Sequence, residues 1–429
     1  MNYEHPRELL TQTLRRLYDC GMTTTSGGNL SVRDAEGNIW ITPSRIDKAT
    51  LRPDDIVKIT PQGEARGRHA PSCELPFHRL VYAKRADARA VLHAHSPAIT
   101  AFCLVGQTPN VELLPGGKLT CGKIASVGYA TPGSEKLAEL VAAELASGAD
   151  AVLMANHGVA AVGKNLAQAF ARVEALNFIA QMQINATNLG ETAPFLRTSA
   201  PVDWTEFVPP PPLPLECEIR ADIAVFCARA YRQRLIFSGH SFFAARLGDA
   251  GDDDFLITPT DYDPQKLTAA EIVRVKDGKR EAGKRPARSA RLFREIFRQH
   301  PWTGAVAIAR SPAVTTFALT KTPLDCRAIP ESYMVLRDVP LVSSEICLDR
   351  PAELVAQLNP ARPALMIENY GLLATGKNLA EVFDRLEVAE FTARALLAAQ
   401  RLGKPQTIGD APIAEIVAEF KLPSLELRV

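Results

Sequence analysis

The sequence carries almost no excess of charge of either sign: 49 Lys and Arg residues face 48 Asp and Glu residues, and the formal net charge is +1. Such a balance gives no electrostatic case for binding nucleic acid or an anionic membrane. No apolar run approaches the roughly 18 residues that a membrane-spanning helix needs. The polar N-terminus lacks the apolar core of a signal peptide. We therefore expect a cytoplasmic protein with no nucleic-acid or membrane partner.

Two classes of sequence motif are also missing. The eight cysteines are scattered and include no C-x-x-C pair, which argues against a disulfide framework or a cysteine zinc site. Neither G-x-x-x-x-G-K-[ST] nor a strand-linked G-x-G-x-x-G is present, so nucleotide chemistry is not supported. What remains is an ordinary globular composition, with 46% hydrophobic residues in 429, enough for about two to four domains.

Helical and strand patterns alternate along the first half of the chain. Ser72 is predicted to cap a helix with Glu74 in its first turn, where a carboxylate often serves only to stabilise the helix. Short strands and helices in alternation, with hairpins near the start, indicate a mixed α/β layer fold. The predicted segments are helix 7–20, hairpins 30–43 and 55–67, helix 71–88, strand 91–97, helix 98–105, loop 113–120, helix 134–146, strand 151–154 and helix 165–186.

Residues 91–97, V-L-H-A-H-S-P, carry the first chemical signal. In an extended chain alternate side chains share a face, so His93 and His95 point the same way. Two imidazoles side by side form two corners of a metal site. The alternative is a pair of core or surface histidines that are adjacent by chance, because H-x-H is a short pattern.

A proline-rich stretch separates two copies of one domain. Residues 190–216 contain Pro209–Pro212 and Pro214, which suit a stiff, extended segment and not a helix or central strand. Beyond it the sequence repeats at offsets of 213 to 216 residues. For example, V-L-H-A-H-S-P-A-I-T-A-F returns as V-A-I-A-R-S-P-A-V-T-T-F. We predict a first domain at 1–192, a linker at 193–216 and a second domain at 217–429.

The duplication provides an internal control. Between the copies the scaffold of apolar and turn residues survives, but four polar positions change together. Structural residues would not vanish as a set, whereas a metal site lost as a unit would. The changed pairs are His93 to Ile308, His95 to Arg310, His157 to Tyr370 and Glu74 to Ser289.

Three imidazoles and a carboxylate suit metal-assisted acid–base chemistry. Three neutral histidines bind Zn²⁺ and leave a coordination position open, although Mn²⁺, Fe²⁺ and Co²⁺ also accept such ligands. A carboxylate beside an open metal site can act as base and acid.

Six motifs, found in order within residues 7–190, together resemble the class II aldolase/adducin family: S-G-G-N-L-S, I-T-P-S, P-S-C-E-x-x-x-H, H-A-H-S-P, G-Y-A-T-P-G-S and N-H-G. The second half resembles the same domain in degenerate form. The resemblance implies two tandem three-layer α/β/α sandwich domains, each with a largely antiparallel central sheet.

The resemblance also implies an activity. His93, His95 and His157 would be the metal ligands, with Zn²⁺ first and Mn²⁺, Co²⁺ or Fe²⁺ as alternatives, and Glu74 the catalytic acid/base. The implied reaction is C–C bond cleavage of a small hydroxy-carbonyl substrate, by aldol cleavage or decarboxylation, through a metal-stabilised enediolate.

Sugar-phosphate members of the family hold phosphate with residues that match Ser26, Gly28, Asn29, Ser44 and Ser72 in this sequence. Two positions depart from the family pattern, because Arg45 replaces a glycine and Cys73 replaces a second serine. Arg45 would either crowd a phosphate or offer its guanidinium to a substrate carboxylate, or else it is a plain surface residue. We include Arg45 among the candidate substrate residues.

Two other functions fit the same family. One is a non-catalytic, adducin-like scaffold, which suits the second domain better than the first. The other is a sugar-phosphate 4-epimerase, although such enzymes typically have Asp where Glu74 stands. By resemblance to aldolases that form fourfold rings, we expect a homodimer that makes a pseudo-fourfold ring, or a higher homo-oligomer.

Overall fold

The computed structural model describes residues 5–195, 204–423 and 425. The chain divides into two compact units: unit 1 comprises Met1–Glu112 and Gly116–Ile184, and unit 2 comprises Leu113–Pro115 and Asn185–Val429. The predicted linker 193–216 falls in unit 2, and its residues 196–203 lie outside the described residues. The exact limits 1–192 and 217–429 therefore stay a prediction.

Unit 1 alternates helices with strands in the order that the sequence predicts. Its described helices are α1 Pro6–Asp19, α2 Leu75–Lys84, α3 Pro97–Val105, α4 Gly117–Cys121, α5 Glu135–Ala146 and α6 Leu166–Ala186, with 3₁₀ turns at Pro53–Asp55 and Val111–Leu113. Its described strands are β1 Asn29–Arg33, β2 Ile39–Ile41, β3 Val57–Ile59, β4 Ala65–Arg66, β5 Ala90–Ala94, β6 Ile124–Val127, β7 Ala151–Met154 and β8 Gly158–Gly163.

The strands of unit 1 form one sheet in the order β4-β3-β2-β1-β5-β8-β7-β6. The sheet is mostly antiparallel, as the family resemblance implies, since among its described pairs only β6 and β7 run parallel. β5 lies near the middle, between β1 and β8, and all five of its residues are buried. Strands buried on both faces read as near-continuous apolar runs, which the sequence A-V-L-H-A follows except at its histidine.

Helices cover both faces of this sheet. On one face α2 and α5 pack against the strands in a buried cluster that includes Phe77, Val81, Val91 and Val141. Leu92 alternates with Val91, so it faces the opposite side, and it too is fully buried. α1 contacts β1 and β2, and α3 contacts β7 and β8. Helices on both faces make this a three-layer α/β/α arrangement. Full burial of each such apolar side chain stabilises the fold by about 1.5–3 kcal/mol.

Unit 2 repeats this architecture. Its described helices are α7 Pro214–Arg232, α8 Ala290–Gln299, α9 Pro312–Leu319, α10 Pro330–Leu336, α11 Ser344–Asp349, α12 Pro351–Val355, α13 Leu379–Leu402 and α14 Asp410–Glu419, with 3₁₀ turns at Ala269–Glu271 and Cys326–Ala328. Its described strands are β9 Glu206–Phe207, β10 Phe242–Arg246, β11 Asp254–Ile257, β12 Val273–Lys276, β13 Lys279–Glu281, β14 Ala305–Ala309, β15 Leu341–Val342, β16 Ala364–Ile367 and β17 Gly371–Gly376.

The sheet of unit 2 runs in the order β15-β16-β17-β14-β10-β11-β12-β13-β9. Within the described part of this unit, only the pairs β15–β16 and β13–β9 are parallel. The short strand β9 and the start of α7 at Pro214 come from the segment predicted as a linker. The central pairing is conserved in register, because Phe242 faces Ile308 as Asn29 faces His93 in unit 1.

The structure corrects two local expectations. α2 begins at Leu75 with Glu74 as its N-cap residue, and Ser72 instead accepts a hydrogen bond from the Glu74 backbone N–H over 3.2 Å. Pro76 in the first turn favours this later start, because proline is tolerated only where no N–H is needed. Residues 113–120, expected to form a loop, include most of α4. No helix in the described residues combines the length and the apolar character needed to cross a membrane.

Candidate metal centre and active site

The first predicted ligand lies in the middle of the unit 1 sheet. His93 is on β5, opposite Asn29 of β1 and Ala160 of β8, and its ring is fully buried. Its Nδ1 atom donates to the carbonyl oxygen of Val159 over 3.0 Å. Since a carbonyl can only accept, this bond fixes the tautomer and leaves a lone pair on Nε2.

The second predicted ligand, His95, follows immediately after β5 ends at Ala94. The Nε2 atoms of His93 and His95 lie 2.8 Å apart, and their ring centroids are 4.6 Å apart. Gly27 makes room for this ring, because a Cβ atom at that position would lie 2.8 Å from Nδ1 of His95. The S-G-G-N turn is therefore part of the site's packing.

The third predicted ligand, His157, lies in the tight connection between β7 and β8. Asn156 adopts φ +56°, in the left-handed region that asparagine tolerates better than most residues. A Cβ atom at Gly158 would lie 2.5 Å from the carbonyl oxygen of Ala94, so only glycine lets this turn approach β5 so closely. The ring of His157 then lies 4.8 Å from that of His93 and 5.1 Å from that of His95.

Glu74 reaches the three rings from the N-terminus of α2, and it is only 4% exposed. Its Oε2 atom lies 3.2 Å from Nε2 of His93 and accepts a hydrogen bond from Nδ2 of Asn29 over 2.7 Å. Its Oε1 atom lies 3.4 Å from Nε2 of His157 and has no hydrogen-bond partner among the described residues. Its side chain makes no capping bond to the helix backbone, so helix stabilisation does not account for it.

Electrostatics keep these rings neutral. The pKa of His93 is lowered to about 3, mainly by burial and to a smaller extent by the neighbouring His157. Burial also lowers the pKa of His95 to about 4, with His93 acting in the same direction. Burial is likewise the main cause that lowers the pKa of His157. Neutral imidazoles keep the lone pairs that bind a cation.

The donor atoms fit a divalent metal. One nitrogen from each of the three histidines lies within 4.8 Å of the other two. Nδ1 of His157 and Oε1 of Glu74 are buried without hydrogen-bond partners in the described residues, and unsatisfied buried polar atoms are costly. A cation bound by the imidazoles would compensate the unpartnered Oε1 of Glu74, which lies 3.4 Å from Nε2 of His157. An all-imidazole set suits zinc and its neighbours in the first transition series.

Five of the six candidate substrate residues lie on loops, and the sixth, Asn29, is the first residue of β1. The backbone of Ser72 bonds to Thr42, and that of Ser44 bonds to Ala70, which places the two loops side by side. Gly28 adopts φ +67°, and a Cβ atom there would lie 2.9 Å from the carbonyl oxygen of His93. Ser26 is exposed on the same turn and Ser72 is buried.

Arg45 adopts a backbone conformation that glycine tolerates best. Its φ is +58°, in the left-handed region that favours glycine, and Asp261 at the matching turn of unit 2 has φ +55°. The Arg45 side chain is exposed and has no ion-pair or hydrogen-bond partner in the described part of the chain. A strained backbone thus carries a free guanidinium beside Ser44.

Sequence reasoning missed two features of this region. Lys48 is 2% exposed, and its Nζ donates to the carbonyl oxygen of Pro43 over 3.1 Å. Burial lowers the pKa of Lys48. The second feature is that both polar ends of the Asn29 amide are occupied, by Glu74 and by His78. The spacing E-x-x-x-H was the available signal for His78, because residues four apart share a helix face.

The matching positions of unit 2 contain no comparable donor set. Arg310 takes the position of His95, is 4% exposed, and donates to Nδ1 of His240 over 2.8 Å and to the carbonyl oxygen of Pro115 over 2.9 Å. Burial lowers its pKa to about 10, so it stays cationic at neutral pH. Among the residues that the structure describes, the cluster in unit 1 is the one group of three or more potential metal ligands.

Comparison with known families matches both halves of the chain. A family model described as the Class II Aldolase and Adducin N-terminal domain matches residues 8–184 and again residues 221–397. The offset between the two matched segments falls within the range of offsets at which the sequence repeats itself.

Each of the following similar proteins aligns with less than half of this chain. A 5-deoxy-D-ribulose 1-phosphate aldolase of Bacillus thuringiensis is 32% identical over 197 residues, which is 44% of this chain and 90% of the relative. An L-fuculose phosphate aldolase of Methanocaldococcus jannaschii is 36% identical, over 40% of this chain and 91% of the relative. A 3-oxo-tetronate 4-phosphate decarboxylase of Haemophilus influenzae is 33% identical, over 41% and 85%. A solved structure of L-fuculose 1-phosphate aldolase aligns with 44% of this chain and 90% of its own, at 32% identity and a TM-score of 0.41.

Proposed function

The chain belongs to the class II aldolase and adducin family, and on that premise we propose that it is a metal-dependent carbon–carbon lyase. The substrate is a small hydroxy-carbonyl compound, cleaved by a retro-aldol step or by decarboxylation. Unit 1 carries the activity, and unit 2 is a degenerate copy without metal ligands.

One observation carries this proposal. His93 lies on β5, His95 directly follows that strand, and His157 lies in the turn between β7 and β8. Their ligand atoms nevertheless meet within 4.8 Å beside the buried carboxylate of Glu74. Burying three imidazoles and a carboxylate together costs free energy unless a cation or a substrate offsets it. A site that costs stability and is dispensable in the second copy fits a catalytic role.

The three histidines would hold the metal, which we propose is Zn²⁺, with Mn²⁺, Co²⁺ or Fe²⁺ as alternatives. When bound there, it would supply a Lewis acid that draws electron density from the substrate's carbonyl and adjacent hydroxyl oxygens. The hydrogen bond from His93 to Val159 holds its ring in place for this purpose.

Glu74 would move the proton. Breaking the C–C bond leaves an electron pair on the carbon next to the carbonyl, and a buried carboxyl group beside it can deliver a proton there or remove one in the reverse direction. Oε1 of Glu74 is suited to this, because it faces His157 without a hydrogen-bond partner in the described residues. Asn29 occupies the other oxygen.

We propose that the substrate carries an anionic group, bound by the loops that contain Ser26, Gly28, Asn29, Ser44, Arg45 and Ser72. Two positive charges support this. Arg45 offers an exposed guanidinium, and Lys48 is buried without a carboxylate partner in the described part of the chain. The relatives that are named for phosphorylated substrates support an anionic substrate group. Arg45 and Cys73 are the two positions at which these loops depart from the family's phosphate-binding pattern.

The experiment is a substrate screen with metal-loaded protein. Ketose 1-phosphates, non-phosphorylated ketoses and phosphorylated 3-oxo acids are each assayed for release of aldehyde or CO₂. Aldehyde release indicates an aldolase and CO₂ release a decarboxylase. Interconversion of pentose phosphates without cleavage would indicate the 4-epimerase instead. A protein that retains no metal and turns over none of these compounds would favour the adducin-like scaffold and overturn the proposal.

The cytoplasmic location and the homodimer with a pseudo-fourfold ring stay predictions. They rest on the composition and on the family resemblance, respectively.

A further inference from the structure

Behind Glu74 a line of buried polar side chains runs from the site toward the middle of α2. Nδ2 of Asn29 is 2.7 Å from Oε2 of Glu74, and Oδ1 of Asn29 is 2.5 Å from Nε2 of His78. Nδ1 of His78 is 2.6 Å from Oγ of Ser31, which is 2.9 Å from the hydroxyl of Tyr82. All five residues are at most 5% exposed.

A single arrangement of protons satisfies all four contacts. The Glu74 carboxylate accepts, so the Asn29 amide presents its N–H to it and its oxygen to His78. His78 must then donate from Nε2 and accept at Nδ1 from the Ser31 hydroxyl. The Ser31 oxygen in turn accepts from Tyr82, whose pKa is raised by burial and which therefore stays protonated. Every donor points along the chain toward Glu74.

The second copy shows that the fold does not need this network. Strand register places Phe242 where Asn29 stands, because each faces the position of His93 on the central strand. α2 and α8 are both ten residues long, and the histidine and tyrosine of α2 match two phenylalanines of α8. The five counterparts include four apolar residues in or against the unit 2 core, namely Phe242, Ala244, Phe293 and Phe297, together with Ser289.

We propose that His78 is a positioning residue for Glu74, an inference that rests on the proposed function. By donating to Oδ1 of Asn29, His78 locks the amide with its N–H₂ toward Glu74. Oε2 is then held as an acceptor, and Oε1 stays directed at the substrate. Without His78 the amide is free to rotate by 180°, which would place its oxygen against the carboxylate and repel it. Ser31 and Tyr82 hold His78 in the tautomer that this requires.

The first test uses a matched pair of variants. In His78→Gln the new amide nitrogen takes the position of Nε2 and still donates to Asn29. In His78→Asn the shorter amide reaches only the position of Nδ1, so the donor to Asn29 is lost. We expect His78→Asn to lower kcat by about 10–100-fold and His78→Gln to restore kcat to within about threefold of wild type. KM and the bound-metal content should stay at the wild-type level in both. Equal losses of kcat in the two variants, or a raised KM with unchanged kcat, would overturn the proposal.

The second test is independent of turnover. In metal-free protein labelled with ¹⁵N-histidine, the His78 resonances, assigned by their loss in His78→Gln, should show a neutral ring protonated at Nε2. A ring protonated at Nδ1 would overturn the proposed direction of the chain even if no substrate is found. Conversely, the expected tautomer in a wild-type protein that turns over no substrate would refute the proposed function. It would still support the proposed direction of the hydrogen bonds from Tyr82 to Glu74.

Discussion

At the residue scale, the site depends on groups that would be unfavourable in an ordinary core. His93 and His95 have pKa values lowered to about 3 and about 4, mainly by burial, so neither ring carries a compensating charge at neutral pH. Each unsatisfied buried polar atom costs about 1–3 kcal/mol. Unit 2 replaces these positions with Ile308 and Arg310 and keeps its fold. The fold therefore does not require these polar side chains, and their replacement should affect metal binding more than folding.

The first prediction concerns His95. His95→Ala should reduce the bound metal to well below one equivalent per chain and abolish turnover, because two imidazoles hold a catalytic cation much more weakly than three. The matched control is His69→Ala, which removes a histidine that contacts Asp55 away from the three rings. Elemental analysis after dialysis measures the metal. Equal metal content in both variants would contradict the ligand assignment.

The second prediction separates proton transfer from metal binding. Glu74→Gln keeps the size of the side chain and an acceptor for Asn29 but cannot exchange a proton. We expect kcat to fall by about 10²–10⁴-fold while the metal content stays at the wild-type level. Steady-state kinetics and elemental analysis on the same preparation measure both. Loss of the metal in Glu74→Gln would show that this carboxylate is a ligand and not the acid/base.

The third prediction concerns acid stability and uses His240 of unit 2. Burial, and then the charge of Arg310, lowers the folded-state pKa of His240 well below 6.5. Below pH 6.5 the unfolded chain therefore binds a proton at this position that the folded chain does not, so stability falls as the pH falls. His240→Asn keeps an acceptor for Arg310 and does not titrate.

The loss of unfolding free energy between pH 7.5 and pH 5 should be smaller in His240→Asn than in wild type, by about 2 kcal/mol at most. Denaturant titrations at the two pH values measure it. An identical or larger loss in the variant would show that His240 is protonated in the folded state.

At the element scale, periodicity predicted most of the secondary structure of unit 1. Strand β7 at Ala151–Met154 coincides with the predicted strand 151–154, and α5 and α6 begin within one residue of expectation. Local patterns failed where the signal was weak. α4 has only five residues and begins at the second of two consecutive glycines, and a helix of that length carries no periodic pattern.

The arrangement behind Glu74 was beyond the reach of sequence patterns for a different reason. Ser31 and His78 are 47 residues apart, and Asn29 and Glu74 are 45 apart. The pairing of β1 with β5 and the packing of α2 on that sheet bring these residues together. Nothing in the local sequence around one residue of such a contact indicates which distant residue is its partner. The three histidines could be found from the sequence because two of them belong to one short motif, H-A-H, and because the duplicated copy lacks all three.

The fourth prediction concerns the turn before β1. Gly27→Ala adds a Cβ atom that would lie 2.8 Å from Nδ1 of His95 and 2.8 Å from Oγ1 of Thr24, so the ring must move. We expect metal affinity to fall at least about tenfold with a smaller change in the melting temperature. Gly128→Ala is the matched control, because an added Cβ there meets no atom within 4 Å. Competition with a metal-chelating dye measures affinity, and equal affinities in the two variants would contradict the packing described for His95.

At the scale of the whole molecule, duplication explains why the described part of the chain contains two similar sheets but one cluster of three histidines. The order of the central strands is the same in both units, with β1-β5-β8-β7 matching β10-β14-β17-β16. Two copies relieve one of them of selection on its active site, so apolar residues can replace costly buried polar groups. The sequence predicted this organisation, because the offset of 213 to 216 residues recurs across several motifs.

The fifth prediction tests the central claim, that one metal bound in unit 1 supports cleavage of a C–C bond. Metal-depleted protein is titrated with Zn²⁺ while the cleavage of the best substrate from the screen is followed. The account predicts no activity at the start, a linear rise, and saturation at about one equivalent per chain, with none recovered in His95→Ala. Full activity in the metal-depleted protein, or a rise that continues to two equivalents, would contradict it.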